Sequence, residues 1–298
     1  MELLYTLAKI RTPFFDTVLG LLTKLGEELI LFAIFCFIYW CVNKRLAYII
    51  GLGYFLSGLS VQILKISFRI DRPWVRDPSF KPVDNAMKTA TGYSFPSGHT
   101  VGATSVYGSL GINAKKLIYI ILWFVPALVV GFSRMYLGVH TLLDVGVGFA
   151  LSVVFCLVAK LLFESLEKKK SFNAVFGAAM VAIAAGTIIY SLSLYSSGVI
   201  EFSYVVDSCK AAGAALGFGV GFYIERSFIN FDVKCDKWYF QIVKLVVGLA
   251  GLLLFKTGLK YVIGTTIVAH TVRYFVIVLW VIALYPLIIK SFFKRKQQ

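Results

Sequence analysis

The chain has 298 residues, 59% of them apolar and 15% charged, with a formal net charge of +15. That balance excludes a soluble globular protein, in which about a quarter of residues are charged. In a soluble chain the positive excess would suggest nucleic acid; among apolar runs of about twenty residues it fits lysines and arginines collecting in cytoplasmic loops. The expected partner is the lipid bilayer, with no nucleic acid. Backbone groups in lipid must pair within their own segment, and the alternation of a barrel strand is absent. The fold class is therefore all-α, a polytopic membrane helical bundle of about nine transmembrane helices.

Residues 1–27 form an N-terminal interfacial segment. Glu2, Lys9, Arg11, Asp16 and Lys24 interrupt its apolar positions, so it lacks the pattern of a signal peptide. Pro13 divides it into two short amphipathic helices at the membrane surface, the second running toward the first span. Spans follow near 28–42, 46–65, 98–112, 117–134, 140–163, 174–195, 206–224, 238–259 and 272–292, the first and third being short. The long polar loop 66–97 holds Pro73, Pro78 and Pro82 among Asp71, Arg76, Asp77, Lys81 and Lys88, and a loop of that length is usually functional. A charged linker at 164–171 separates a motif-bearing region, 28–163, from further transmembrane helices of unassigned role in 164–298. In that second part Gly213, Gly217 and Gly221 give one narrow helix face for packing. Asp207 and Lys210 are spaced to pair, Lys244 reaches toward the inner surface, and His270 falls in an outer loop region with no role. The five cysteines show no metal-ligand spacing and read as free thiols.

Loop charge sets the orientation. Lys44 and Arg45, Lys115 and Lys116, Lys168 to Lys170, then Arg226, Lys234 and Lys237, and the tail Lys294, Arg295 and Lys296 all fall on one side. That side is cytoplasmic, and the opposite side includes 196–205, which has no basic residue. The remaining polar clusters then lie on the extracytoplasmic face, of a bacterial cytoplasmic membrane or, in a eukaryote, on a lumenal face.

Three clusters carry chemistry: KISFRIDRP from Lys65 to Pro73, PSGH from Pro96 to His99, and SRMYLGVHTLLD from Ser133 to Asp144. Two of the three histidines lie in them. His140 and Asp144 are four apart and share a face if helical, so the carboxylate can take one ring N–H and leave the other nitrogen as a nucleophile. A packed His–Asp pair fits that spacing equally well. His99 opens a span after Ser97 and Gly98, where free N–H groups face an anion and a histidine can give a proton to a leaving oxygen; a plain N-cap gives the same pattern. Lys65 and Arg72 point one way if the helix persists through both, and Arg134 adds a planar fork suited to phosphoryl oxygens. These cations sit on the side that charge sorting should deplete, which argues against mere snorkelling. No third ligand completes a metal set.

Together the clusters resemble the type 2 phosphatidic acid phosphatase superfamily, with K-x6-R-P, P-S-G-H and S-R-x5-H-x3-D complete and in order. The resemblance covers roughly 28–163. It implies a helical core there, His140 as a nucleophile that becomes phosphohistidine, Asp144 as its orienting group and His99 as general acid. It also implies Lys65, Arg72, Ser97, Gly98 and Arg134 as a phosphate clamp, with no metal and no cofactor. The resulting expectation is a membrane phosphatase acting on a phosphorylated lipid. A phosphatase for a small soluble ester, a lipid phosphotransferase and a non-catalytic lipid-binding or transport protein remain as rivals. Sequence leaves the substrate and oligomeric state open.

Overall fold

The computed structural model describes residues 1–87, 90–235 and 237–292, so Lys88 and the basic tail at Lys294, Arg295 and Lys296 lie outside the described residues. The described residues are helical and contain no strand. In chain order the α-helices are α1 Glu2–Lys9, α2 Pro13–Leu22, α3 Glu28–Phe37, α4 Lys44–Phe68, α5 Pro73–Arg76, α6 Asp84–Met87, α7 Gly98–Ala103 and α8 Ser109–Ile112. Then come α9 Leu117–Tyr136, α10 Leu142–Leu166, α11 Phe172–Ser196, α12 Phe202–Ile224, α13 Trp238–Ile263, α14 Ile267–Leu279 and α15 Tyr285–Phe292.

Among the described residues, seven helices are long and apolar enough to cross a membrane. An eighth span is possible if Pro13–Gly26 and Glu28–Val42, bent by 49°, count as one. The multi-pass bundle expected from hydropathy is present, with seven or eight spans among the described residues in place of about nine. Residues 28–42 count only together with the helix before them, and at 98–112 α7, a π-turn and α8 make fifteen residues, about 22 Å of helix at ~1.5 Å per residue.

The chain falls into two compact units. The first comprises 1–32 and 52–160, the second 33–51 and 161–298. In the first, α7 and α9 pack together, and the 3₁₀ turn Thr23–Gly26 packs on both. The outward side of α9 stays apolar, with Leu117, Ile121 and Leu128 exposed, as lipid contact requires. The N-terminal segment is fastened as well as amphipathic. Leu4 and Leu7 are buried, the Tyr5 hydroxyl donates to Asp77 Oδ2 at 2.7 Å, and Arg11 donates to the carbonyls of Tyr136 (3.0 Å) and Lys81 (2.6 Å). Gly138, at φ +78°, accepts this close approach: a Cβ there would lie 2.6 Å from Arg11 Nη2 and 2.9 Å from the Phe80 ring.

In the second unit α12 packs against both α11 and α14. The glycine stripe is the α14 contact: a Cβ on Gly213 would fall 2.3 Å from Thr271 O, and one on Gly217 2.5 Å from Phe275 O. Lys210 pairs with Asp207 at 2.9 Å. Lys244 is fully buried and ends on the Val233 carbonyl at 2.8 Å. Glu225 is buried too, with Lys44 Nζ at 2.9 Å, the Tyr48 hydroxyl and the Phe231 N–H as donors. His270 lies on α14 rather than in a loop. Thr266 caps that helix, its hydroxyl accepting from the Ala269 N–H at 3.2 Å, so the helix starts five residues before the span expected from hydropathy. All five cysteines are free.

Gly213→Ala forces a methyl against backbone and is expected to lower unfolding free energy by about 1–3 kcal/mol. Gly186→Ala has nothing within 4 Å of the new methyl. It should match or exceed wild-type stability by up to about 1 kcal/mol. Thermal unfolding of the two variants in detergent checks the contrast.

Candidate active site

The eight residues singled out in sequence all belong to the first unit, and most of them meet at one end of α4, α7, α9 and α10. α4 stops at Phe68 because Arg69 takes a left-handed conformation, φ +50°. Lys65 and Arg72 therefore do not share a continuous helix face. Arg72 instead stands at the N-cap of α5, ahead of Pro73 at the first helical position. Backbone carbonyls aim both cations. Lys65 Nζ donates to Tyr93 O, and Arg72 donates to Gly92 O (2.9 Å), Thr91 O (2.6 Å) and Val139 O (3.0 Å).

His140 sits in the turn before α10, not on it. Thr141 caps that helix: its N–H donates to Asp144 Oδ2 at 2.7 Å while its hydroxyl accepts from the Asp144 N–H at 3.3 Å. This reciprocal pair is a capping box. Asp144 is thereby held by the helix start, and a second donor reaches it across fifty residues, the buried Ser94 hydroxyl at 2.6 Å. The carboxylate lies 3.6 Å from His140 Nδ1, longer than a hydrogen bond. The four-residue helical spacing thus does not produce the expected ring N–H bond to the carboxylate. His140 Nε2 accepts from Arg72 Nη1 at 2.8 Å, so the proton belongs on Nδ1, which is buried without a hydrogen-bond partner among the described residues.

Ser97 is the N-cap of α7, its hydroxyl accepting from Thr100 Oγ1 at 2.9 Å, and its N–H donates to the Asp144 carbonyl at 3.0 Å. Gly98 is exposed with nothing within 4 Å of the place a Cβ would occupy, and His99 beside it is half-buried. Arg134 is 1% exposed. Its Nη1 reaches Thr23 Oγ1 at 3.5 Å, while Nε and Nη2 are buried without a hydrogen-bond partner among the described residues. The charges of Arg72, Arg134 and Lys65 act on both His99 and His140. Burial first, and then those three cations, hold the His140 imidazole well below its usual range.

Sequence reading missed Ser94, Thr141 and Thr23. Thr141 carried a signal, a threonine three residues before an acid at a helix start. Ser94 and Thr23 carried none, because their partners are distant in the chain.

A profile of the PAP2 superfamily matches residues 44–168, and one described as "PAP2 superfamily phosphatase, transmembrane extension" matches 209–297. Phosphatidylglycerophosphatase B of Bacillus subtilis is 29% identical over 180 residues, 53% of this chain and 80% of that protein. Sphingosine-1-phosphate phosphatase 2 of Mus musculus is 24% identical over 68% of this chain, and sphingosine-1-phosphate phosphatase 1 of Rattus norvegicus 25% over 83%. The chain spans only 57% and 56% of those two. A crystal structure titled as the first transmembrane PAP2 type phosphatidylglycerolphosphate phosphatase from Bacillus subtilis superposes with a TM-score of 0.48 at 24% identity, over 57% of this chain and 86% of that one. The helical fold and the two profiles define an integral membrane protein of a phosphatase family. That family is the PAP2 superfamily, to which the motif-bearing region at 44–168 belongs, with its transmembrane extension matched at 209–297.

Ser94→Ala removes a buried bond to a carboxylate. It is expected to lower stability by about 1.5–3 kcal/mol and to slow phosphate release, with Ser94→Thr restoring both. An imidazole in the unfolded chain takes its proton near pH 6.5, whereas folded His140 resists it to lower pH. Below about pH 6.5 the unfolded state thus binds more protons, and stability falls with acidification; above it this contribution is fully present. Melting temperatures measured from pH 7.5 to 5 should fall more steeply for wild type than for His140→Gln.

Proposed function

We propose that this phosphatase hydrolyses the phosphate monoester of a membrane lipid at the extracytoplasmic face, through a phosphohistidine on His140 and without a metal or cofactor. One observation carries the reading. Arg134 is almost wholly buried, and two of its N–H-bearing nitrogens lack an acceptor among the described residues. A buried guanidinium left so is costly, and a phosphoryl oxygen pair is the acceptor its planar fork fits. Arg72 and Lys65 act on the same two histidines, with Glu27 bearing on Arg134 and Asp144 beside His140, so three cations face two carboxylates and a phosphoryl group brings the missing negative charge.

The residues then take these roles. Arg134, Arg72, Lys65, the Ser97 hydroxyl and the open backbone at Gly98 hold the phosphoryl oxygens. Those oxygens draw the Arg72 guanidinium away from His140 Nε2, and the freed lone pair attacks phosphorus. Burial and the three cations hold the pKa of the His99 imidazole down to about 3 without an anion, and the charge of the bound phosphate offsets them so that the ring takes up a proton. An N–P bond then forms as the bond to the lipid oxygen breaks, and the protonated His99 gives that oxygen its proton. Asp144, near Nδ1–H, offsets the positive charge that develops on the ring. Water then attacks phosphorus and passes a proton to His99, the N–P bond breaks and inorganic phosphate leaves. Cations aimed at the oxygens supply most of the rate gain.

Phosphatidylglycerophosphate is the first substrate to test, because the similarity to the Bacillus subtilis enzyme covers most of that protein. Sphingoid phosphates come second, favoured by the larger share of this chain that aligns with the sphingosine-1-phosphate phosphatases. A lipid fits because the cluster caps membrane helices, so an acyl tail stays in the bilayer while the headgroup enters.

Phosphate release from purified protein is expected with lipid phosphates, in chelator, without any acceptor, and not with sugar phosphates. Turnover of soluble esters alone would sink the lipid reading, and a requirement for an acceptor would make it a transferase. His140→Ala should reduce release to background, and label from a quenched turnover should sit on His140 alone. Arg134→Gln should lower kcat by about 10²–10³-fold, as loss of about 2.7–4 kcal/mol of transition-state stabilisation implies.

A further inference from the structure

The second unit contains a buried arginine with an unmet donor of its own. Arg273, in the second turn of α14, is 6% exposed. Its Nη2 lies 2.5 Å from His270 Nδ1, and its Nη1 is buried without a hydrogen-bond partner among the described residues. A ring nitrogen that accepts from a guanidinium leaves the other nitrogen of His270 as an N–H donor. The charges of Arg273, Lys210 and Lys260, against the single carboxylate of Asp207, act on that ring. Asp207 already holds Lys210 at 2.9 Å. The cluster thus has three fixed cations and a further neutral donor for one acid.

Packing brings the cluster together. The backbones of α12 and α14 approach at Gly213 and Thr271. That contact sets the first turns of α12, with Asp207 and Lys210, beside the first turns of α14. Lys260 comes from the last turn of α13. The loops at these helix ends, 197–201 and 264–266, have no lysine or arginine. By the same charge sorting used for the catalytic cluster, this end faces away from the cytoplasm, where unpaired basic residues are unexpected unless they have a use. Around it Tyr261, Val262 and Val268 stand 88%, 80% and 70% exposed, an apolar rim suited to acyl chains.

We infer that the Arg273–His270–Lys210 cluster binds a phosphate group, carried by the headgroup of a membrane phospholipid whose tails lie along the apolar rim. Only residues of the second unit build it, and none of them belongs to the catalytic set. The arginine supplies the buried charge-assisted bond, the histidine a second donor, and Lys210 a charge at the partly exposed edge.

Full-length protein in detergent, titrated with dioleoylphosphatidylglycerol and read by native mass spectrometry, tests this. That lipid is a phosphodiester, so a monoesterase leaves it intact. Arg273→Gln and Lys210→Gln should each weaken its binding about tenfold or more, the loss expected for a hydrogen bond to a charged group. Diolein, with the same tails and no phosphate, should bind without dependence on either residue. Wild-type rates of phosphate release in both variants establish that they fold, and Lys210→Gln carries the test if Arg273→Gln fails to accumulate. Inorganic phosphate at millimolar concentration identifies the source. Displacement of the lipid by phosphate means a free-anion site of the same chemistry, and no displacement means a headgroup site. Equal phosphatidylglycerol binding by wild type and both variants overturns the proposal, as does diolein binding that depends on Arg273.

Discussion

The arrangement of the first unit turns on positive charge kept in a poorly hydrated place. Arg134 is buried with most of its guanidinium unanswered, and Arg72 and Lys65 bear on the same histidines. A fold tolerates such a cluster only if the cations are held by neutral dipoles rather than neutralised by acids. Carbonyls of residues 91–93 and 139 do this for Arg72 and Lys65. Of the carboxylates nearby, Glu27 bears on Arg134, and Asp144 is itself engaged by Ser94 and by the start of α10. It orients the neighbourhood without quenching it, so the net charge remains available to an anion.

The long loop 66–97 and the N-terminal segment serve that constraint. Residues 91–94 supply acceptors for two cations and a donor for Asp144. α1 and Arg11 fasten this loop and the turn after α9, while Thr23 touches Arg134 directly. Rigidity therefore comes from segments that hydropathy alone would dismiss as connectors. The Glu225 network of the second unit solves the converse problem. There one buried acid is met by Lys44, Tyr48 and the Phe231 N–H, and nothing is left over for a ligand.

Much of this was legible in the sequence. Apolar runs gave the helical membrane class, and the three motifs named residues that the structure brings to one helix end. What escaped depended on backbone detail or on distant partners. Arg69 in a left-handed conformation ends α4 early, so Lys65 and Arg72 meet through a loop and not along a helix. The Thr141–Asp144 box starts α10 after His140, which turns an expected hydrogen bond into a 3.6 Å contact. Ser94 could not be assigned, since nothing local ties it to a carboxylate fifty residues on. About nine expected spans became seven or eight among the described residues because hydropathy registers apolar content at 28–42 and 98–112 but not whether fifteen residues are enough to cross.

The short stretch at 98–112 has a consequence for the depth of the site. Residues 100–109 are buried, so the exposed apolar side of α9, and not this helix, meets the lipid. At about 22 Å the helix is shorter than a hydrocarbon slab of about 30 Å. With its C-terminal end close to Lys115 and Lys116 at the interface, its start at Gly98 and His99 would stop short of the opposite headgroup level. A small polar headgroup would then descend between longer helices to reach the cations while its tails remain in the membrane.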